Sequence, residues 1–233
     1  MKAVILAGGF GTRISEYSKG IPKPMITIGN MPLIWHIMKI YSQYGFTDFI
    51  VALGYKGQII KNYFKSKNYG WKIQFVDTGV NTMTGGRIKR LKKYLMDETF
   101  MLTYGDGLSN INLRKLLKFH YANKKKVTVT AVRPPARFGA LEIRGNTVID
   151  FREKSNLDVG WINGGFFVME PDFIKYIRND KTVLEESPLE SVAAQKQLKA
   201  FQHEGFWQCM DTKRDLDLLR KQWKKRSRKW LKD

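Results

Sequence analysis

Apolar and polar positions alternate along the chain in a way that predicts strand, loop and helix in turn. Residues 2–6 (KAVIL) form a continuous apolar run that ends at Gly8 and Gly9, as a strand buried on both faces reads. Residues 10–30 are rich in Gly and Pro and predict a loop. From Pro32 to Tyr44 the apolar residues Leu33, Ile34, Ile37, Met38 and Tyr41 share one helical face, and Gly45 marks the stop. Residues 48–53 predict a second buried strand, 58–64 a short helix and 72–76 a third strand. A single helix is expected over 85–95, a strand over 100–103, a helix over 113–123 and a strand over 127–132.

Beyond residue 132 the pattern changes. Residues 140–143 and 148–151 predict a hairpin turning at Gly145-Asn146. A strand follows at 166–169, helices at 171–177 and 188–197, and a strand at 198–203 leading to 206–210. A helix starts at Lys213 and carries Leu216, Leu219, Trp223 and Trp230; if it continued to its end it would set both tryptophans on one face. The alternation of strand and helix implies an α/β fold. The expectation is one domain with a doubly wound, mostly parallel, Rossmann-like sheet and a small β-hairpin region. Its ligands are expected beyond the carboxyl ends of the strands, in the loops after Leu6, Leu53, Val76 and Thr103.

Composition agrees and narrows the class. In 233 residues, 43% are hydrophobic and 13% aromatic, enough for a sizeable core and against disorder or a collagen-like chain. No apolar run reaches the roughly 18–20 residues that span a bilayer. The opening MKAVILAGG breaks into glycines and reads as a strand rather than a signal peptide. The single cysteine, Cys209, forms no internal disulfide and fits a reducing, cytoplasmic setting. Forty-one Lys and Arg against 21 Asp and Glu give a net charge of +20, and such a surface favours anionic partners. Residues 220–233 alone hold eight cations and one Asp. The domain is expected over 1–219, with 220–233 a basic tail that is either a docking segment for a subunit or anionic membrane surface, or a solvated helix end. Truncation after Leu219 is expected to leave the chemistry intact. No nucleic-acid module is recognisable, so nucleic acid is not expected as the partner.

Candidate chemistry starts in the loop LAGGFGTR. Gly8, Gly9 and Gly11 let backbone N–H groups approach phosphate oxygens, and Arg13 offers a bidentate contact. The spacing departs from a dinucleotide-binding turn, because prolines and not a helix follow; taken alone it also fits a tight structural turn. Pro22-Lys23-Pro24 holds a lysine in a stiff, extended frame, which is either an aimed ammonium or an exposed side chain. Asp106, between Gly105 and Gly107, is an ordinary turn residue on spacing alone.

The string LAGGFGTRxSxxxxxxPKPMxxIGxxPxxWH resembles the sugar-1-phosphate nucleotidyltransferase family. GYKG, VDTGxNTMTGGRxKR, LTYGDG, TAVxPPxRFGAL, WINGGFFVxEP and GFWQxMDT resemble its cytidylyltransferase branch, and the likeness runs from Met1 to about Leu219. The resemblance implies cytidylyl transfer from CTP to a sugar-1-phosphate, with glucose-1-phosphate the expected acceptor, in the supply of surface polysaccharide. It assigns Arg13 and Lys23 to catalysis, and Leu6, Ala7, Gly8, Gly9, Gly11, Thr12, Thr82, Arg87 and Gly105 to the nucleotide. Glu153, Lys154, Trp161, Asn163 and Gly164 are assigned to the sugar phosphate, and Asp106 and Asp211 to Mg²⁺. Arg87 reads equally as one more charge on a basic helix, and Trp161 as a core or interface residue. Ser155 stands where the family has Pro. A homo-oligomer is implied, although the connection 64–71 is short for that branch. His36, His120 and His203 have no metal-ligand spacing and read as structural.

Overall fold

The computed structural model describes residues 1–14, 20–134, 139–152 and 160–232. Strand β1 (Lys2–Leu6) leads through 3₁₀ turns at Thr12–Ile14 and Lys23–Met25 into a small hairpin, β2 (Thr27–Ile28) and β3 (Met31–Pro32). Helix α1 (Leu33–Ser42), β4 (Asp48–Leu53), α2 (Gly57–Lys65), β5 (Lys72–Asp77), α3 (Thr84–Arg90), α4 (Lys92–Leu95) and β6 (Phe100–Tyr104) continue the alternation. Then come β7 (Gly107–Ser109), α5 (Leu113–Asn123), β8 (Val127–Val132), β9 (Ala140–Arg144), β10 (Thr147–Arg152) and β11 (Ile162–Met169). A 3₁₀ segment (Pro171–Tyr176), α6 (Ser187–Ala194), β12 (Leu198–His203), β13 (Trp207–Cys209) and α7 (Lys213–Lys224) complete the described chain.

Seven strands form the central sheet in the order β12-β8-β11-β6-β1-β4-β5. All neighbours pair in parallel except β11, which runs antiparallel to both β6 and β8. The α/β expectation of a mostly parallel sheet with a small hairpin region holds. Both faces of the sheet are covered, which is why β1 is apolar without alternation. Ala3 and Ile5 join a core with Ile37 of α1, Ile60 of α2 and Leu216 of α7. Val4 and Leu6 join a second core with Ile88 of α3, Leu95 of α4 and Val192 of α6. From β1 the chain winds outward through β4 and β5, then returns to place β6 on the other side of β1. That reversal opens a crevice at the carboxyl ends of β1, β4 and β6.

The structure corrects several details. The helix expected over 85–95 is broken at Leu91, whose backbone belongs to neither α3 nor α4. The segment after Pro171 is 3₁₀ rather than α. The strand expected over 166–169 begins at Ile162, and Gly165 at φ +77° accompanies a register shift against β8 between Asn163 and Phe167. Helix α7 does not run on to Trp230. It ends at Lys224, the chain turns at Arg226 with φ +54°, and Trp230 folds back to be 2% exposed. Its ring lies edge-on to His36, with centroids 5.8 Å apart, while Trp223 meets His36 from another side at 5.0 Å. The boundary expected at 219/220 falls inside α7.

Candidate active site

A cleft of about 800 Å³ opens at the switch between β4, β1 and β6. Its walls come from the loop after β1, the start of α3, the loop after β6 and the segments Asn163–Gly165 and Trp207–Asp211. Leu6, Ala7, Gly8, Gly9, Gly11, Thr12, Lys23, Thr82, Arg87, Gly105, Asp106, Asn163, Gly164 and Asp211 all line it. Trp161 does not; its ring is covered by the Arg133 guanidinium, 4.7 Å from the centroid. Glu153, Lys154 and the side chain of Arg13 lie outside the described residues.

Lys23 is the centre of the cleft's charge. Its Nζ donates to Asp106 Oδ2 at 2.7 Å and to Asp211 Oδ1 at 2.6 Å. Burial opposes its charge, but the Asp106 carboxylate and the hydrogen bonds to both aspartates outweigh that and hold its pKa above the ordinary lysine value. The 3₁₀ turn opened by Pro22 and Pro24 aims this side chain. Gly11, at φ +65°, leaves it room, since a Cβ there would come within 2.9 Å of the Lys23 Cβ. At Gly105 a Cβ would lie 2.8 Å from the Leu6 carbonyl, so the loops after β1 and β6 pass this closely only with glycine present.

Asp106 and Asp211 meet because β7 and β13 pair antiparallel immediately beside them, Cys209 opposite Gly107, and Met210 N–H donates to the Asp106 carbonyl at 2.9 Å. Helix α7 then starts with a capping box. Thr212 caps Asp215 N–H, and Asp215 Oδ2 accepts from the backbone N–H groups of Asp211 and Thr212 at 3.1 and 2.9 Å. Asp215 thereby fixes the backbone that presents Asp211. One atom each from Asp106, Cys209 and Asp211 lies within 4.8 Å of the others. Two hard carboxylate oxygens already gathered around an ammonium suit Mg²⁺, with phosphate oxygens completing the shell. The Cys209 sulfur is the softer, poorer ligand, and burial raises its pKa and keeps it a thiol.

Arg87 differs from a basic helix face. It is 4% exposed, and its guanidinium donates inward. Nη2 reaches Gly8 O at 2.9 Å, while Nη1 reaches Leu53 O, Thr78 Oγ1 and Gly79 O at 3.1, 2.8 and 2.8 Å. Arg87 therefore braces the loops that follow β1, β4 and β5. On the opposite wall, Asn163 Nδ2 donates to the Tyr104 hydroxyl at 3.2 Å, and that hydroxyl donates to Glu185. Thr84 also donates to Glu185, at 2.7 Å. Burial first, then the Glu185 charge, push the Tyr104 pKa upward. Neither Tyr104 nor Glu185 is singled out by sequence pattern; Tyr104 lies within LTYGDG, whereas Glu185 has no motif around it. Trp207 Nε1 donates to Gly164 O at 2.8 Å and pins the bulged end of β11.

Residues 2–218 match the family model described as nucleotidyl transferase. The chain is 47% identical over 255 aligned residues to glucose-1-phosphate cytidylyltransferase of Salmonella typhimurium, covering 99% of this chain and 98% of that protein. The same enzyme of Salmonella typhi is also 47% identical, with the same coverage. A UDP-glucose pyrophosphorylase complexed with UDP-glucose superposes with a TM-score of 0.75 over 97% of this chain and 98% of that one, and at 17% identity it shares the fold. With a glycine loop, a carboxylate-held lysine and a matching family model over most of its length, the chain belongs to the nucleotidyl transferase family.

Proposed function

We propose that the protein transfers a cytidylyl group from CTP to glucose-1-phosphate, giving CDP-glucose and pyrophosphate. The observation that carries this reading is the Lys23 ammonium held between Asp106 and Asp211 beside the glycine loop. The 47% identity to named glucose-1-phosphate cytidylyltransferases supports the choice of substrates.

The reaction is an in-line displacement. A phosphate oxygen of the sugar-1-phosphate attacks the α-phosphorus of CTP, and the bond from that phosphorus to the α,β-bridging oxygen breaks, so the β- and γ-phosphates leave together as pyrophosphate. The nucleophile is already an anion, so positioning and charge neutralisation supply most of the rate. Gly8, Gly9, Gly11 and Thr12 line the triphosphate's place, with Arg13 assigned beside them by the family pattern. Thr82 and Gly105 border the nucleoside side, and Arg87 keeps the Gly8 carbonyl turned away from the phosphates by bonding it. Lys23 moves from the aspartates toward the α-phosphate as charge gathers there. Asn163 and Gly164 face the sugar, and Glu153 with Lys154 are assigned to its phosphate. Asp106 and Asp211 would hold Mg²⁺, which when bound neutralises the clustered phosphates and the leaving pyrophosphate.

We assign the catalytic residues to 1–219, with 220–232 completing α7 and the core behind them, and we assign a cytosolic setting and a homo-oligomeric state. Among the described residues no helix is long and apolar enough to cross a membrane. Incubation of the protein with Mg²⁺, each of CTP, UTP, dTTP and GTP, and a panel of sugar-1-phosphates tests the proposal by mass spectrometry of the products. CDP-glucose from CTP and glucose-1-phosphate is the expected product. Turnover confined to another NTP, or to a phosphate acceptor that is not a sugar, would replace the substrate assignment and leave the family standing.

A further inference from the structure

We propose that a second anion site lies between helix α7 and the β2–β3 hairpin, and that it takes a soluble ligand carrying clustered phosphates. A cavity of about 1080 Å³ there shares no lining residue with the cleft. Arg220, Lys221, Lys224, Lys225, Arg226 and Arg228 line it, against the single acid Asp217. Positions 217, 220, 221 and 224 share one face of α7, flanking the core face of Leu216 and Leu219, and the turn after Lys224 brings Lys225, Arg226 and Arg228 to the same cavity.

Among the described residues none of these six cations pairs with a carboxylate. Two of them are fixed instead by neutral groups: Arg220 Nε donates to the Thr27 carbonyl at 3.1 Å, and the Arg228 guanidinium lies 4.1 Å from the Trp223 ring centroid. Six cations gathered in one lining with a single acid repel one another, and a phosphate-rich anion offsets that repulsion while accepting charge-assisted hydrogen bonds from several of them.

The shape favours a soluble anion over a bilayer. A helix lying on a membrane turns its apolar residues outward into the acyl region. Here neither tail tryptophan is turned out to solvent: Trp230 is in the core, and half-buried Trp223 packs on His36, crowds Gly29 and forms part of the cavity's lining. The cations line an open groove between α7 and the β2–β3 hairpin. The site borders the two elements that directly follow the cleft's charged residues, since the hairpin follows Lys23–Met25 and α7 starts just after Asp211.

Tripolyphosphate without Mg²⁺, at about 0.15 M salt to screen diffuse attraction, serves as the probe. Its binding is measured by calorimetry on the wild type, on Lys23→Ala, and on the combined variant Lys221→Gln/Lys224→Gln/Lys225→Gln. The expected result is a binding component that Lys23→Ala retains and the combined variant loses or weakens at least about tenfold. In parallel, tripolyphosphate should shield Lys221, Lys224 and Lys225 of the unmodified protein from acetylation, a readout that needs no variant. Unchanged binding in the combined variant, complete loss in Lys23→Ala, or unaltered lysine labelling would overturn the proposal. So would binding to phosphatidylglycerol vesicles, dependent on the three lysines, in the absence of any tripolyphosphate binding.

Discussion

Lys23 Nζ donates to Asp211 Oδ1 at 2.6 Å, joining residues 188 positions apart in the chain. The same ammonium bonds Asp106, so it occupies the ground on which a divalent cation would compete with it. Replacing it with Ala removes a positive charge from the α-phosphate's surroundings and frees both carboxylates. Lys23→Ala should lower kcat by about two to three decades. Mn²⁺ affinity, read by electron paramagnetic resonance without substrate, should stay the same or rise. A fall in metal affinity would show that Lys23 supports the metal site rather than competing with it.

Arg87 holds three loops by bonds to four backbone carbonyls and one hydroxyl. Lysine keeps the charge but has no planar fork. Arg87→Lys should destabilise the fold by about 1–3 kcal/mol and raise KM for the nucleotide more than it lowers kcat. Denaturant unfolding and steady-state kinetics check both. A melting curve and KM like the wild type's would contradict the bracing role.

His36 is fully buried, and its tautomer is set by its neighbours. The Trp230 indole can only donate, so His36 Nδ1 accepts from it at 3.3 Å and Nε2–H donates to the Ile28 carbonyl at 3.0 Å. Burial, the larger cause, together with the nearby Arg228 charge, depresses its pKa to about 4. The unfolded chain takes up this proton near pH 6.5 and the folded chain only near 4, so the unfolded state binds more protons between them. Stability is fully present above about pH 6.5 and falls through that window, by on the order of 3 kcal/mol. His36→Gln should flatten that part of the stability–pH profile; an unchanged slope would place the titration elsewhere.

Ending the chain after Leu219 removes Trp230 from the core and Trp223 from the face of His36. A loss of about 3–5 kcal/mol is expected, as for a buried Trp truncated to Ala. Neither tryptophan lines the cleft, so turnover per folded molecule should remain near the wild-type value. Trp230→Ala should account for most of the loss. Full stability in the truncated protein would return the tail to a solvated helix end.

Burial explains which features were legible in sequence. Strands β4 and β8 and helix α5 appear at their observed limits, since a continuous apolar run, a strand alternation and clean helical spacing mark them in turn. The cleft's glycines, Lys23, Asp106 and Asp211 stand in motifs, and the fold brings them together. What composition could not reveal depends on partners distant in sequence. Arg87 looks like any cation of a basic helix until the carbonyls of Gly8, Leu53 and Gly79 surround it. Asn163, Gly164 and Gly165 fall outside the strand expected over 166–169, and only pairing with β8 and the Trp207 bond make them the bulged end of that strand. Trp230 sits seven residues past Trp223, and helical spacing hides the turn at Arg226 that sends it back into the core.

Asp106 and Asp211, gathered around Lys23, are the metal-dependent centre we propose for cytidylyl transfer. Pyrophosphate release from CTP and glucose-1-phosphate, followed against Mg²⁺ concentration for the wild type, Asp106→Asn and Asp211→Asn, tests it most directly. Each substitution keeps shape and removes one charge. The predicted result is a loss of two or more decades in kcat, about 2.7 kcal/mol in barrier, with a raised Mg²⁺ requirement and near-normal unfolding. Near wild-type rates at an unchanged Mg²⁺ requirement in both variants would contradict it.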